Sequence, residues 1–231
     1  GHVLLVEDNE VNHEIASAIL ETLGCQVDHA RDGAQAVAAA RAVNYDLILM
    51  DCQMPVMDGF EATRRIRAEE RQAGRATCPI VALTANALAG DREQCLAAGM
   101  NDYLAKPINR AQLAAALARN LPSAPAATEA PARSSEAAAN EPQTVSTAQP
   151  DTPPAFDPGV LQSLSMVADG SDPAFAERVI DMFTTNASEL LAAIAQASTS
   201  GDMATLQRSA HTLKSSGATV GFPVRICRPH S

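Results

Sequence analysis

The sequence predicts a doubly wound α/β domain with a five-stranded parallel sheet, followed by a flexible linker and an all-α helical domain. Three observations indicate this organisation. Short apolar runs alternate five times with amphipathic stretches over residues 3–120, which favours βα units in one parallel sheet. Half of the chain's fourteen prolines fall within residues 122–155. From Phe156 onward, apolar residues recur at the spacing of a helix.

The elements of the first domain can be assigned in order along the chain. We expect strands at 3–6, 26–29, 47–50, 79–83 and 102–104. We expect helices that end near residues 23, 43, 70, 99 and 120. Asp32 is a good N-cap for the second of these helices. The third strand, Leu47-Ile48-Leu49-Met50, is the most apolar and therefore fits the centre of the sheet.

The rest of the chain divides by composition. Residues 1–121 form the predicted α/β domain, and residues 122–155 form a linker rich in proline and alanine. Helices are expected at 158–167, at 173–197 and after Gly201-Asp202, which together make a helical domain over 156–221. Residues 222–231 contain two prolines and no periodicity, so we interpret them as an aberrant tail.

Composition excludes several classes of protein. A formal net charge of −10 argues against binding to nucleic acid, which needs a basic surface. No apolar run approaches the ~20 residues that span a bilayer, so no direct membrane contact is expected. The five cysteines form no CxxC pair, which is typical of reduced thiols in a cytoplasmic protein. The chain begins with Gly1 rather than Met, and we expect it to be a piece of a longer protein.

Polar residues follow four of the predicted strands. Glu7 and Asp8 follow the first strand, Asp51 the third, Thr84 the fourth and Lys106 the fifth. The carboxyl ends of parallel strands meet at one edge of the sheet, so these side chains are expected to converge. Three carboxylates repel one another unless a cation lies among them, and oxygen ligands favour Mg²⁺. Asp51 would be a nucleophile for a phosphoryl group, with Lys106 and Thr84 neutralising the developing charge.

These residues resemble the receiver domain of two-component response regulators, over about the first 120 residues. Residues 6–12 (VEDNEVN) are similar to receivers attached to hybrid sensor kinases. The resemblance implies that Asp51 is the phospho-acceptor, that Thr84 and Tyr103 are the switch pair, and that Lys106 precedes an often cis proline. It also implies four residues that hold Mg²⁺. Asp8 and Asp51 would bind the ion through their carboxylates and Gln53 through its main-chain carbonyl, and Glu7 would act through water.

The chain contains only two lysines, and each lies beside a candidate phosphoryl acceptor. Lys106 belongs to the acidic site, and Lys214 lies one helical turn after His211. A neutral imidazole is a good nucleophile near pH 7, and a compact ammonium can meet a single phosphoryl oxygen. We expect His211 to lie on an exposed helical stripe, with small residues around it that leave room for a docking partner.

Residues 210–221 (AHTLKSSGATVG) resemble the signature of histidine phosphotransfer (HPt) domains. The resemblance implies that His211 is a phosphotransfer histidine and that Lys214 counters the incoming charge. It also implies a four-helix bundle, whereas this chain lacks the last helix. The aliphatic stripes of residues 173–220 are therefore expected to lack packing partners.

The leading hypothesis is the C-terminal receiver–HPt part of a bacterial hybrid sensor histidine kinase. A kinase core, expected in the missing N-terminal part of the same protein, would phosphorylate Asp51. His211 would then pass the group to a downstream response regulator receiver. No P-loop or glycine-rich ATP lid occurs, so no ATP-binding core is expected in this chain.

Two alternatives stay open. The chain could be a receiver-only phosphorylation switch, that is, a binding module with a non-functional HPt remnant. It could also be a Mg²⁺-dependent phosphohydrolase of the haloacid dehalogenase type. That second class needs an Asp two residues after the nucleophile, where Gln53 stands. Its nucleophile also follows the first strand, whereas Asp51 follows the third predicted strand.

Overall fold

The computed structural model describes residues 1–84, 89–121 and 174–222. Its five strands form one parallel sheet in the order β2-β1-β3-β4-β5. The strands are β1 His2–Val6, β2 Gln26–Ala30, β3 Leu47–Asp51, β4 Ile80–Thr84 and β5 Asp102–Ala105. The helices are α1 Glu10–Thr22, α2 Gly33–Ala42, α3 Gly59–Ala73, α4 Ala89–Ala98, α5 Arg110–Asn120, α6 Phe175–Ser200 and α7 Met203–Thr219.

The predicted α/β fold class is confirmed, and each of the five expected strands begins and ends within one residue of an observed strand. The predicted linker at 122–155, the helix at 158–167 and the tail beyond residue 222 lie outside the described residues. Among the helices of the described ranges, none combines the length and the apolarity needed to cross a membrane.

The strand order places β1 and β3 side by side near the centre of the sheet. The chain leaves β1 in one direction to form β2 and returns past β1 to form β3. This reversal is the point at which doubly wound sheets open a crevice at the carboxyl ends of their strands. It brings the residues that follow β1 beside the end of β3.

Strand β3 is fully buried because helices cover both faces of the sheet. Its side chains alternate between two apolar layers, as the period of a strand requires. One layer contains Leu47 and Leu49 and packs against α1 and α5. The other contains Ile48 and Met50 and packs against residues of α2 and α3.

Side-chain caps set the starts of several helices. Asp32 caps α2 as predicted, since its carboxylate accepts from the Gln35 amide at 2.8 Å. Asp58 caps α3 in the same way, and α3 continues to Ala73, three residues beyond the expected end. It ends at Gly74, which adopts a left-handed conformation with φ of 62°. The apolar pattern did not predict this extension, because the last turn of α3 is polar.

Helices α6 and α7 pack against each other and are joined by Gly201 and Asp202. Part of their apolar surface is covered by helix α1 of the α/β domain, so the expectation that it lacks packing partners is wrong for that part, whereas Leu191 and Met203 are exposed. Four buried residues of the C-terminal segment join the apolar core on the α1 side of the sheet: Phe175, Val179, Phe183 and Val220.

Candidate functional site

Three carboxylates lie together at the carboxyl edge of the sheet. Glu7 and Asp8 directly follow β1, and Asp51 is the last residue of β3. One oxygen from each carboxylate can be chosen so that all three lie within 4.8 Å of one another. Glu7 and Asp51 are buried, whereas Asp8 is half-buried. The strand order therefore produces the cluster that the sequence pattern led us to expect.

Lys106 bridges two of these carboxylates. It follows β5, and its Nζ donates to Glu7 Oε2 at 2.6 Å and to Asp51 Oδ2 at 2.7 Å. Its side chain is only 5% exposed. The Lys106 amide donates to the Thr84 carbonyl at 2.7 Å, which ties the loop to the end of β4. The Lys106–Pro107 peptide is cis, as the family resemblance implies.

Burial dominates the electrostatics of the cluster. It raises the pKa of Asp51 and of Glu7, and the positive charge of Lys106 opposes this shift. Burial and the neighbouring charge of Glu7 raise the pKa of Asp8 to about 6. Burial alone would lower the pKa of Lys106, but the two carboxylates outweigh it and raise that pKa.

When all three acids are ionised, the cluster carries more negative than positive charge. A set of carboxylate oxygens at this separation is compatible with a divalent cation, since hard cations take oxygen ligands.

The other residues predicted for this site lie on the neighbouring strands and loop. Thr84 ends β4 and is buried. The backbone N–H of Gln53 donates to Asp51 Oδ1 at 3.1 Å, and this bond holds the loop after β3 against the carboxylate. Tyr103 pairs with Ala82 in the sheet and packs against the apolar layer that contains Met50.

His211 lies on α7, and the structure corrects its predicted environment. The sequence predicted an exposed stripe, but His211 is half-buried because α7 packs on α1. Burial, followed by the charges of Lys106 and Lys214, lowers the pKa of His211. The imidazole is therefore neutral at pH 7. Lys214 is exposed.

Sequence reasoning missed one residue, Asn12, which joins the two parts of the protein. Its side chain is buried and donates to Glu7 Oε1 at 3.0 Å and to Ser215 Oγ at 3.2 Å. Its Oδ1 accepts from Thr219 Oγ1 at 2.8 Å. In the sequence it appears only as the end of a motif, and the available signal was a polar residue on the buried face of an amphipathic helix.

Fold and site together define a class of protein: a doubly wound α/β domain with three carboxylates and a lysine at the carboxyl edge of its sheet. The family described as "Response regulator receiver domain" matches residues 3–118, half of the chain. The chain therefore belongs to the response regulator receiver domain family. A second family, described as "Hpt domain", matches residues 178–224.

Curated relatives are hybrid kinases and sensor proteins. Hybrid signal transduction histidine kinase L of Dictyostelium discoideum is 43% identical over 116 residues, which cover 49% of this chain and 7% of that protein. Sensor protein GacS of Pseudomonas syringae is 46% identical over 112 residues, covering 48% of this chain and 12% of that protein. The chain thus spans a small part of these relatives' length. The two domains and these relatives support two-component phosphorelay signalling.

Many solved structures match the α/β domain, including two receiver domains. The receiver domain of sensor histidine kinase PA1611 from Pseudomonas aeruginosa, described with a magnesium ion in its active-site cleft, is 56% identical with a TM-score of 0.47. That match covers 52% of this chain and 95% of the receiver domain. The receiver of Ssk1, crystallised with the histidine phosphotransfer protein Ypd1 from Saccharomyces cerevisiae, is 36% identical with a TM-score of 0.50. That match covers 52% of this chain and 87% of the matched chain.

Proposed function

We propose that this chain is a phosphorelay module in which Asp51 accepts a phosphoryl group and passes it to His211 of the same chain. The observation that carries the proposal is the placement of the two acceptors. Lys106 joins Asp51 to Glu7, and the helix that bears His211 packs on α1, which begins three residues after Glu7. The matches to the receiver and Hpt families support a relay between the two acceptors.

The chemistry divides into two displacements. In the first, a carboxylate oxygen of Asp51 attacks the donor's phosphorus, and the bond from phosphorus to the donor breaks. In the second, the unprotonated ring nitrogen of His211 attacks that phosphorus, and the acyl phosphate bond breaks to restore the Asp51 carboxylate. The lowered pKa of His211 keeps this nitrogen free of a proton at pH 7. Lys106 faces the negative charge that develops at Asp51, and Lys214, one helical turn after His211, would counter the charge that arrives there.

Mg²⁺ is the cofactor that these residues fit, and it neutralises phosphoryl oxygens when bound. The carboxylates of Asp8 and Asp51 would hold the ion together with the Gln53 carbonyl, and Glu7 would act through water. Thr84 lies at the end of the adjacent strand, where its hydroxyl would meet the phosphoryl group. Tyr103, on the next strand, would be the second member of the switch pair, and its ring would rearrange when the Thr84 hydroxyl meets the phosphoryl group.

The phosphoryl donor in this proposal is a histidine kinase, and the final acceptor is a separate response regulator receiver. Both rest on the family matches, because receiver and Hpt domains imply histidine kinases and response regulators as phosphotransfer partners.

The test is chemical phosphorylation of the purified chain with acetyl phosphate and Mg²⁺, followed by mapping of the modified residue by mass spectrometry. Wild type, Asp51→Ala and His211→Ala are treated in parallel. We expect phosphate on both residues in the wild type, on Asp51 alone in His211→Ala, and on neither residue in Asp51→Ala. Label confined to Asp51 in the wild type would instead support a receiver-only switch. Absence of label from every variant would reject the phospho-acceptor assignment.

Mg²⁺ binding is expected to weaken in acid. A raised pKa of about 6 keeps a proton on Asp8 below that pH, and Mg²⁺ must displace this proton in order to bind. The apparent affinity should therefore fall by roughly tenfold per pH unit below pH 6. Calorimetric titration with MgCl₂ at several pH values measures the slope. Asp8→Asn should bind Mg²⁺ more weakly with a shallower slope, and an affinity independent of pH in the wild type would contradict the assignment.

A further inference from the structure

One side chain connects the histidine helix to the acidic site. Asn12 lies in the first turn of α1 and is 5% exposed. Its amide makes three hydrogen bonds, one within the α/β domain and two to α7. A buried amide that is fully occupied by partners from two elements fixes their relative placement, because loss of any partner leaves a buried polar group unpaired.

The partners of Asn12 on α7 share a face with His211. Ser215 and Thr219 follow His211 by four and eight residues, so all three lie along one stripe of the helix. Anchoring two positions of a stripe fixes the rotation of α7 about its axis. The third position, His211, is then turned toward the α/β domain rather than toward solvent.

The bonds of Asn12 continue into the acidic site. Thr219 Oγ1 donates to Asn12 at 2.8 Å, and Asn12 donates to Glu7 at 3.0 Å. Lys106 then donates to Glu7 at 2.6 Å and to Asp51 at 2.7 Å. An unbroken series of hydrogen bonds therefore runs from α7 to the proposed phospho-acceptor.

Apolar contacts with the α1 side contribute little to this rotation. The apolar residues that α6 and α7 contribute to the α1 side are concentrated on α6, at Phe175, Val179 and Phe183, and beyond the end of α7, at Val220. Such contacts are non-directional, and they hold the hairpin on α1 without specifying which side of α7 faces the carboxylates. Directional bonds to Asn12 supply that specification.

We propose that Asn12 is a positioning residue that sets the rotation of α7 so that His211 faces Asp51. The inference rests on the proposed transfer from Asp51 to His211. Asn12 itself touches neither reacting atom. Its contribution is orientation, and misplacement of a reacting group by about 1 Å can lower a rate by about 10²-fold.

The test compares Asn12→Ala, Thr219→Val and the double variant in the full-length chain, at a dilution where transfer within one chain dominates. Each protein is phosphorylated with acetyl phosphate and Mg²⁺, and the rate of His211 labelling is divided by the amount of phospho-Asp51. We expect each single variant to lower this ratio by about 10- to 100-fold. The double variant should be no slower than the slower single variant, since both remove the same contact.

Thr199→Val is the matched control. It makes the same change in an exposed part of α6, where the hydroxyl bonds only to its own helix at Ala195. This variant should transfer at the wild-type ratio. An Asn12→Ala protein with wild-type transfer would overturn the proposal. So would independent, additive losses in the double variant, because Asn12 and Thr219 would then act through separate contacts and not through the bond that joins them.

A second measurement separates this inference from the proposed function. Thr219, Ile15 and Ile108 line one small crevice between α7 and the α/β domain, so nuclear Overhauser effects among their methyl groups report docking without phosphate. We expect these effects in the wild type and their loss in Asn12→Ala. If they behave so while His211 is never labelled, the relay fails but the positioning role stands. If they persist unchanged in Asn12→Ala, the positioning role fails.

Discussion

Lys106→Met should lower the rate of Asp51 phosphorylation by about 10²- to 10³-fold, the usual loss when one preorganised charge is removed from a developing anion. The side chain is buried and contacts both Asp51 and Glu7. Methionine keeps the length and the packing of the lysine stem but removes the ammonium. The measurement is the initial rate of label uptake from acetyl phosphate at saturating Mg²⁺. A rate equal to that of the wild type would contradict the role given to Lys106.

The same substitution should also destabilise the protein in the absence of Mg²⁺. Removing one partner of a buried ion pair costs about 3–5 kcal/mol, because the remaining charges stay buried without compensation. Urea unfolding followed by circular dichroism in EDTA measures this loss, and Mg²⁺ should recover part of it. Lys214→Met is the matched control for stability, since Lys214 is exposed and forms no ion pair with another described residue.

Gly59→Ala should destabilise the protein by about 3 kcal/mol, at the upper end of the cost of overpacking. Gly59 opens α3, and its amide donates to the Cys52 carbonyl at 3.2 Å, so the helix start lies against the end of β3. A Cβ at this position would meet the Asp51 carbonyl oxygen at 2.1 Å and Met50 Cγ at 2.9 Å. The gain in helix propensity of up to about 1 kcal/mol is too small to offset this clash.

The expected signature of Gly59→Ala is a lower urea midpoint together with slower phosphorylation, because relief of the clash must move the backbone of Asp51. Gly74→Ala controls for the loss of a glycine. No atom lies within 4 Å of its Cβ position, and its φ of 62° predicts a cost of only about 1–2 kcal/mol. If the two variants lose the same stability and both phosphorylate normally, close packing at Gly59 is not the cause.

The α/β domain could be predicted because its signals are local. Each apolar run is bounded by polar or turn residues, and Glu7, Asp51 and Lys106 follow their strands directly in the sequence. Parallel topology then forces such residues to one edge, so convergence needs no knowledge of packing. The exact end of α3 was harder to predict from the sequence, because its last turn is polar and only Gly74 signals the end of the helix.

The docking of α6 and α7 on α1 could not be predicted in this way. Asn12 and Thr219 are separated by 207 positions, and periodicity shows that a helix has an apolar stripe without showing which surface covers it. The expectation of unpartnered stripes assumed that only a complete helical bundle could bury them. The structure shows that one helix of the neighbouring domain provides the covering surface, and the exposure predicted for His211 was wrong for the same reason.

The half-burial of His211 against its own domain has a consequence for the order of events. In the proposed relay, a His211 that takes its group from the internal aspartate cannot simultaneously face the aspartate of another protein. Loading and unloading would therefore alternate in a ping-pong sequence, with release of α7 from α1 between the two half-reactions. The loading step should be independent of protein concentration, whereas unloading is bimolecular, and the lifetime of the docked hairpin sets the upper limit on how often the module can turn over.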